Sequence, residues 1–316
     1  MSCAGSRPLS FEITGSWREI FRFSRILPEI SSPEPVEIEG ADGGPLRLDL
    51  YAPPAAHPDN PPSATLPRPP IVLLHGFRGY KDWGFFPMLA GRMAEAGFPA
   101  VTFSVSGSGI AGRDGAFTEP ERFRRNTYAK ELADLARVVA WALAPGAARA
   151  GLIGHSRGGT LALLHAASNR RIGCVATLAA PFRIGVWKPE QTAAWERGED
   201  APIYDFRTRT HLRLGPDLWE DFTRNRDRYD AARAIESLGA PLLVVQGDRD
   251  AVVPPENAVE IASHASSVMT ELLILEGAGH SFQAGDRIRR TPPQLLDMVE
   301  AVTAWMRRWL SRPLQA

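Results

Sequence analysis

From Ile71 to the C-terminus, short apolar runs alternate with stretches of helical periodicity, and this alternation constrains the fold more than any other feature. The runs are Ile71 to Leu74, Ala100 to Phe103, Gly151 to Ile153, Cys174 to Leu178, Leu242 to Val245 and Leu272 to Leu275. Each is nearly apolar throughout, so each strand must be buried on both faces, which a parallel sheet between two helical layers achieves. Between them, Tyr128, Leu132, Leu135 and Val139 mark one helical face, ended by Pro145-Gly146. Leu295, Met298, Val302, Trp305 and Trp309 mark another, with Thr291 expected as N-cap and Pro292 in the first turn. Upstream, Val36 to Glu39 and Leu46 to Tyr51 alternate apolar and polar around Asp42-Gly43-Gly44, a hairpin pattern. The expected fold is α/β: a mostly parallel central sheet with helices on both faces and an antiparallel N-terminal hairpin.

The same pattern divides the chain. Residues 1–35 read as an N-terminal arm, and a Pro/Ala-rich stretch from Ala52 to Pro70 reads as a loop. Residues 36–181 and 239–316 form the expected core. Between them, residues 182–238 lack a convincing strand and carry many Arg residues and aromatics, among them Trp187, Trp195, Trp219 and Phe222. A structureless loop that long does not fit a compact domain, so the expectation is a small helical insertion, read as a lid.

Charge and composition exclude several classes. The 316 residues carry 36 basic and 36 acidic side chains, without the positive footprint of a nucleic-acid binder. No apolar run is long enough to cross a membrane, and the first residues lack a signal-peptide core. The two cysteines, Cys3 and Cys174, form no disulfide framework, and Cys174 reads as a core residue. A cytoplasmic enzyme is expected. Metal ligands are missing too: there is no H-E-x-x-H and no paired cysteine motif. Gly107 to Gly112 spells G-x-G-x-x-G after a strand, but no helix opens there, so no dinucleotide cofactor is expected. Its glycines are read as letting the loop approach the site. The interleaved Arg, Asp and Glu residues of the insertion read as a solvated face.

The chemistry-bearing segment is Gly151-Leu152-Ile153-Gly154-His155-Ser156-Arg157-Gly158-Gly159. A strand runs into a tight turn holding Ser156, and a small-residue helix follows. Gly154 and Gly158 remove Cβ atoms on either side, so Ser156 can stand at a strained corner. The helix start also aims free N–H groups at the site, which suits a developing oxyanion. A serine hydroxyl needs a base. Of seven His, His280 alone follows the last apolar strand in a glycine-rich loop, Gly277-Ala278-Gly279-His280, where open α/β sheets gather catalytic groups. The third partner comes from Gly247-Asp248-Arg249-Asp250-Ala251-Val252-Val253-Pro254. Asp250, further round the turn, is the expected partner of His280, and Asp248 the residue that pins the turn.

The order Ser156, Asp250, His280, the G-H-S-R-G-G elbow, the G-D-x-D-x-V-V-P turn and the G-x-G-H loop together resemble the α/β-hydrolase superfamily. The resemblance spans Val36 to Trp309. Leu73-Leu74-His75-Gly76-Phe77-Arg78-Gly79 matches that family's oxyanion loop, which implies an oxyanion hole made by the backbone N–H groups of Phe77 and Arg157. His75 is then structural. Tyr80-Lys81-Asp82-Trp83 and the modest insertion are similar to small-lid carboxylesterases of the feruloyl/cinnamoyl-esterase type. The implied activity is a cofactor-free serine carboxylesterase acting on small or aromatic esters. Its partner is then a small-molecule ester, with neither nucleic acid nor membrane. Serine at the elbow argues against dehalogenase and epoxide-hydrolase chemistry, for which the family uses Asp. A prolyl-oligopeptidase-like peptidase and a non-catalytic ligand-binding protein of this fold are the alternatives. The sequence leaves the oligomeric state open.

Overall fold

The computed structural model describes residues 32–54, 68–266, 269–285 and 291–312. Most of the expected N-terminal arm, His57 and Cys3 therefore lie outside the described residues. A hairpin comes first, β1 (Glu34–Glu39) and β2 (Pro45–Tyr51), with Gly43 at φ +78° in its turn. Then follow β3 (Ile71–Leu74), α1 (Phe86–Glu95), β4 (Ala100–Ser104), α2 (Pro120–Arg124), α3 (Tyr128–Leu143), β5 (Ala150–His155), α4 (Arg157–Ser168) and β6 (Ile172–Leu178). The insertion contributes α5 (Pro189–Glu196), β7 (Ala201–Asp205), β8 (Thr210–Leu214), α6 (Asp217–Arg224) and α7 (Ala231–Glu236). The chain closes with β9 (Leu242–Gly247), α8 (Glu256–His264), β10 (Thr270–Leu275) and α9 (Pro293–Leu310).

The main sheet has eight strands in the order β1-β2-β4-β3-β5-β6-β9-β10. Only β1, β2 and the β2–β4 junction are antiparallel; every later pair is parallel. Successive strands leave β3 in opposite directions, β4 to one side and β5 to the other. That reversal opens a crevice at the C-terminal ends of β3 and β5, the usual ligand position in such sheets.

Burial explains why these segments settle where they do. β3 and β5 are buried along their whole length, as apolar strands between helical layers must be. α1 and α9 cover one face, and α3, α4, α7 and α8 cover the other. Tyr128, Leu132, Leu135 and Val139 of α3 are all buried, as are Leu295, Met298, Val302 and Trp305 of α9. Truncating Leu135, at 0% exposure, to alanine should cost about 2–5 kcal/mol.

Three expectations need correction. The insertion is not all helical: β7 and β8 pair as an antiparallel hairpin. Its strands bury only every second residue, Ala201, Ile203 and Asp205 on one and Leu212 and Leu214 on the other. Such short alternating runs, diluted by Pro202 and Arg213, carry little hydrophobic signal. The Asp205 carboxylate closes the hairpin turn by accepting from the Thr208 N–H and hydroxyl, both at 2.9 Å. At the C-terminus, Pro292 occupies the N-cap position without a side-chain cap, and Thr291 lies one residue outside. The glycines around Gly107 face Asn126 and Phe123 rather than the Ser156 corner.

Candidate active site

β5 ends at His155 and α4 begins at Arg157, so Ser156 alone makes the corner, at φ +53° and ψ −132°. A non-glycine residue held there costs on the order of 1–3 kcal/mol and persists only where the surroundings enforce it. The neighbouring glycines do the enforcing. A Cβ on Gly154 would lie 2.4 Å from the Gly158 carbonyl oxygen, and one on Gly158 would lie 2.4 Å from the His75 carbonyl oxygen. The Ser156 N–H donates to the Leu178 carbonyl at 2.8 Å, tying the corner to β6.

His280 and Asp250 reach this corner from the ends of β10 and β9. His280 Nε2 lies 3.1 Å from Ser156 Oγ, and His280 Nδ1 lies 2.8 Å from Asp250 Oδ2. Asp250 Oδ1 accepts from the N–H groups of Val252 and Val253 at 2.8 and 2.9 Å, and Gln246 Nε2 donates to Oδ2 at 2.9 Å. Burial alone would raise the Asp250 carboxyl; the His280 bond and the two N–H donors outweigh it and hold the pKa below its ordinary value. Asp248 sits elsewhere. Its Oδ1 accepts from the Gly277 N–H at 2.6 Å and so ties the β9 turn to the His280 loop.

The β3 loop approaches from the other side. A Cβ on Gly76 would lie 2.8 Å from the Ser156 Cβ, so only glycine admits this contact. Among the described residues, the N–H groups of Phe77 and Arg157 have no protein acceptor. Both flank Ser156. His75 is structural: its Nε2 accepts from the Val105 N–H at 3.1 Å while Nδ1 lies 2.8 Å from the Gly76 carbonyl, which fixes the tautomer with the proton on Nδ1. Complete burial pushes its pKa down to about 4.

Sequence reasoning missed several supporting residues. His155 Nε2 lies 2.9 Å from the His280 carbonyl oxygen. Burial, with His280 beside it, pushes the His155 pKa down to about 3, so the neutral ring donates through Nε2. Glu131 is buried and accepts from Arg157 Nη2 at 2.6 Å. Burial raises its pKa, against the pull of the Arg157 guanidinium. A signal for it existed: Tyr128, Glu131 and Leu135 follow helical spacing, so Glu131 stands on the apolar stripe and needs a buried partner.

Beside the corner lies a cavity of about 530 Å³, walled by Phe77, Tyr128, Arg157, Phe182 and Trp187, with Val186 and Val252 among its exposed lining residues. Tyr128 Oη accepts from the Gly185 N–H at 3.2 Å and from Trp187 Nε1 at 3.0 Å, fastening the start of the insertion to α3. At the hairpin, Arg78 Nη1 donates to the Tyr204 carbonyl and Arg207 Nη1 to the Gly115 carbonyl, both at 2.8 Å. The insertion is latched to the core at both places. Among the described residues, no group of His, Cys, Asp and Glu is placed to hold a metal ion, and no helix is long and apolar enough to cross a membrane.

No curated protein sequence matches the chain. Solved structures do, at low identity. The ferulic-acid complex of Est1E from Butyrivibrio proteoclasticus is 20% identical with a TM-score of 0.64, covering 88% of this chain and 100% of that one. The esterase domain of a Rhodothermus marinus protein is also 20% identical, at a TM-score of 0.59 and coverages of 88% and 99%. A monoacylglycerol lipase from Paleococcus ferrophilus is 17% identical at 0.59, with coverages of 84% and 98%. These likenesses establish the fold. The model of the alpha/beta hydrolase family matches residues 71–291, more than half of the chain, and the protein belongs to that family.

Proposed function

We propose that the protein is a serine carboxylesterase that hydrolyses small or aromatic esters through an acyl-enzyme. The observation that carries this reading is the unbroken hydrogen-bonded chain from Asp250 through His280 to Ser156, at 2.8 and 3.1 Å. His280 Nε2 takes the Ser156 proton as Oγ attacks the ester carbonyl carbon. The negative charge that develops on the carbonyl oxygen is met by the N–H groups of Phe77 and Arg157. Collapse of the tetrahedral intermediate breaks the C–O bond, and His280 passes its proton to the leaving alkoxide. Water then repeats the sequence on the acyl-enzyme and releases the acid. Asp250 holds the His280 tautomer and balances the imidazolium.

The aromatic walls of the cavity support an aryl or short acyl group. The ferulic acid carried by one structural neighbour agrees with that class. The test is a panel of p-nitrophenyl and hydroxycinnamoyl esters run on the wild type and on Ser156→Ala. kcat/KM should peak at short or hydroxycinnamoyl acyl groups and fall beyond about eight carbons. Rates rising steadily to long-chain triglycerides, with activation at an oil–water interface, would refute the substrate class. Retained activity in Ser156→Ala would refute the nucleophile.

A further inference from the structure

The side chains of the two proposed oxyanion donors touch each other. The Arg157 guanidinium carbon lies 4.4 Å from the centre of the Phe77 ring. Two further rings fix Phe77 from other sides, Phe123 stacked at 5.7 Å and Trp187 edge-on at 5.4 Å. The guanidinium is fixed in turn by Glu131 on α3 and lies 5.5 Å from the Tyr128 ring. Its position is unusual for a surface-type residue: Arg157 is 9% exposed and Glu131 3%. Buried ion pairs contribute little net stability compared with apolar replacements, so this one needs a different explanation from stability alone.

We infer that the Glu131–Arg157 pair is a positioning device that sets the spacing of the oxyanion hole by stacking the Arg157 side chain on Phe77. The inference rests on the esterase reading above. One donor belongs to the first residue of α4 and the other to the loop after β3, and no backbone hydrogen bond among the described residues joins Phe77 to Arg157. Backbone packing of Gly76 on Ser156 and of His75 on Gly158 brings the two segments together, and the guanidinium–ring stack then links the side chains of the two donor residues themselves. A planar guanidinium can pair with Glu131 through its edge while its face lies on the ring; a lysine ammonium keeps the charge but has no face to stack. Donors aimed at an oxyanion act only if held at hydrogen-bond distance from where the charge develops. Phe77 and Arg157 also wall the cavity, so loosening the stack should weaken transition-state binding well beyond any loss in the binding of a small acetyl ester.

The experiment measures kcat and KM for p-nitrophenyl acetate and Ki for an alkyl trifluoromethyl ketone, whose serine adduct carries an oxyanion. The proteins are the wild type, Arg157→Lys, Arg157→Met combined with Glu131→Gln, Phe77→Leu, and the combination of Phe77→Leu with the double variant. The double variant removes both buried charges, which keeps a folded protein available if Arg157→Lys does not fold. The expected result is a fall of about 10- to 100-fold in kcat, a matching loss of ketone affinity, and KM within about threefold, in both Arg157 variants. Adding Phe77→Leu to the double variant should cost much less than Phe77→Leu does alone, because the shared contact is already gone. Unchanged kcat and Ki in a folded Arg157 variant, a rise confined to KM, or additive effects with Phe77→Leu would each overturn the inference. Wild-type labelling by a fluorophosphonate at Ser156 separates the two levels. Labelled wild type with unaffected variants defeats the brace alone, whereas unlabelled wild type defeats the esterase reading and the brace with it.

Discussion

His155 Nε2 donates a hydrogen bond to the backbone carbonyl of His280 at 2.9 Å, so the residue before the proposed nucleophile holds the backbone of the proposed base. The contact joins the end of β5 to the loop after β10. The rings of Trp83 and Phe85 close around His155, at 5.4 and 5.3 Å. Phe282, fully buried against Phe85, anchors the loop just past His280. The proposed base and the proposed nucleophile thus share one apolar foundation. His155→Phe keeps the apolar bulk but removes the donor. It should lower kcat by about tenfold and lower stability by about 1–2 kcal/mol, read by steady-state kinetics and urea unfolding.

The two aspartates of the β9 turn make separable predictions. Asp250→Asn should lower kcat by about 10⁴, because an amide no longer stabilises the His280 tautomer needed to accept the Ser156 proton. Asp248→Asn keeps an acceptor for the Gly277 N–H and should leave kcat within about threefold while changing Tm slightly. Kinetics and thermal melts on both variants check the ranking, and its reversal would assign the two aspartates the other way round.

Gly158→Ala tests the packing that makes the corner. Its new Cβ would fall 2.4 Å from one backbone carbonyl oxygen and 2.6 Å from another, those of His75 and Leu74. Backbone atoms at the end of β3 cannot move aside as a flexible side chain would. The expected loss is about 3 kcal/mol or more in urea unfolding, with activity lost in parallel.

Stability should depend on pH through the buried histidines. The pKa of His75 is lowered to about 4 and that of His155 to about 3, mainly by burial, from an ordinary value of 6.5. Below pH 6.5 the unfolded chain binds protons that the folded protein still refuses, so stability falls as pH drops towards 4 and 3. Asp250, with its lowered pKa, adds to the loss at the acid end. Tm measured from pH 8 to pH 4.5 should therefore be flat above about 7 and decline below it. Glu131, raised by burial, works in the opposite direction, so a Tm that rises on acidification through this window would mean that raised carboxyl groups outweigh the buried histidines.

How much of this was legible in the sequence depends on distance along the chain. The elbow, the β9 turn and the His280 loop are each local spellings with a local physical reason, and they mark strand ends correctly because apolar runs precede them. The hairpin β7–β8 was not legible. Its strands bury alternate residues under a small cover, and Ile203 and Leu212 alone do not separate a strand from a short helix. The supporting contacts were harder still. That Arg157 would meet Glu131, or His155 the carbonyl of His280, depends on pairings across 26 and 125 positions that no local pattern encodes. Only the misfit of Glu131 on an apolar stripe hinted at one of them.

Ser156 is proposed to act as a nucleophile activated by His280. The most direct test is the mass of the intact protein after incubation with a fluorophosphonate, followed by peptide mapping. A single adduct on the Ser156 peptide, absent from Ser156→Ala and formed far more slowly in His280→Ala, is the result predicted. No adduct on the folded wild type, or an adduct that persists in Ser156→Ala, would contradict it.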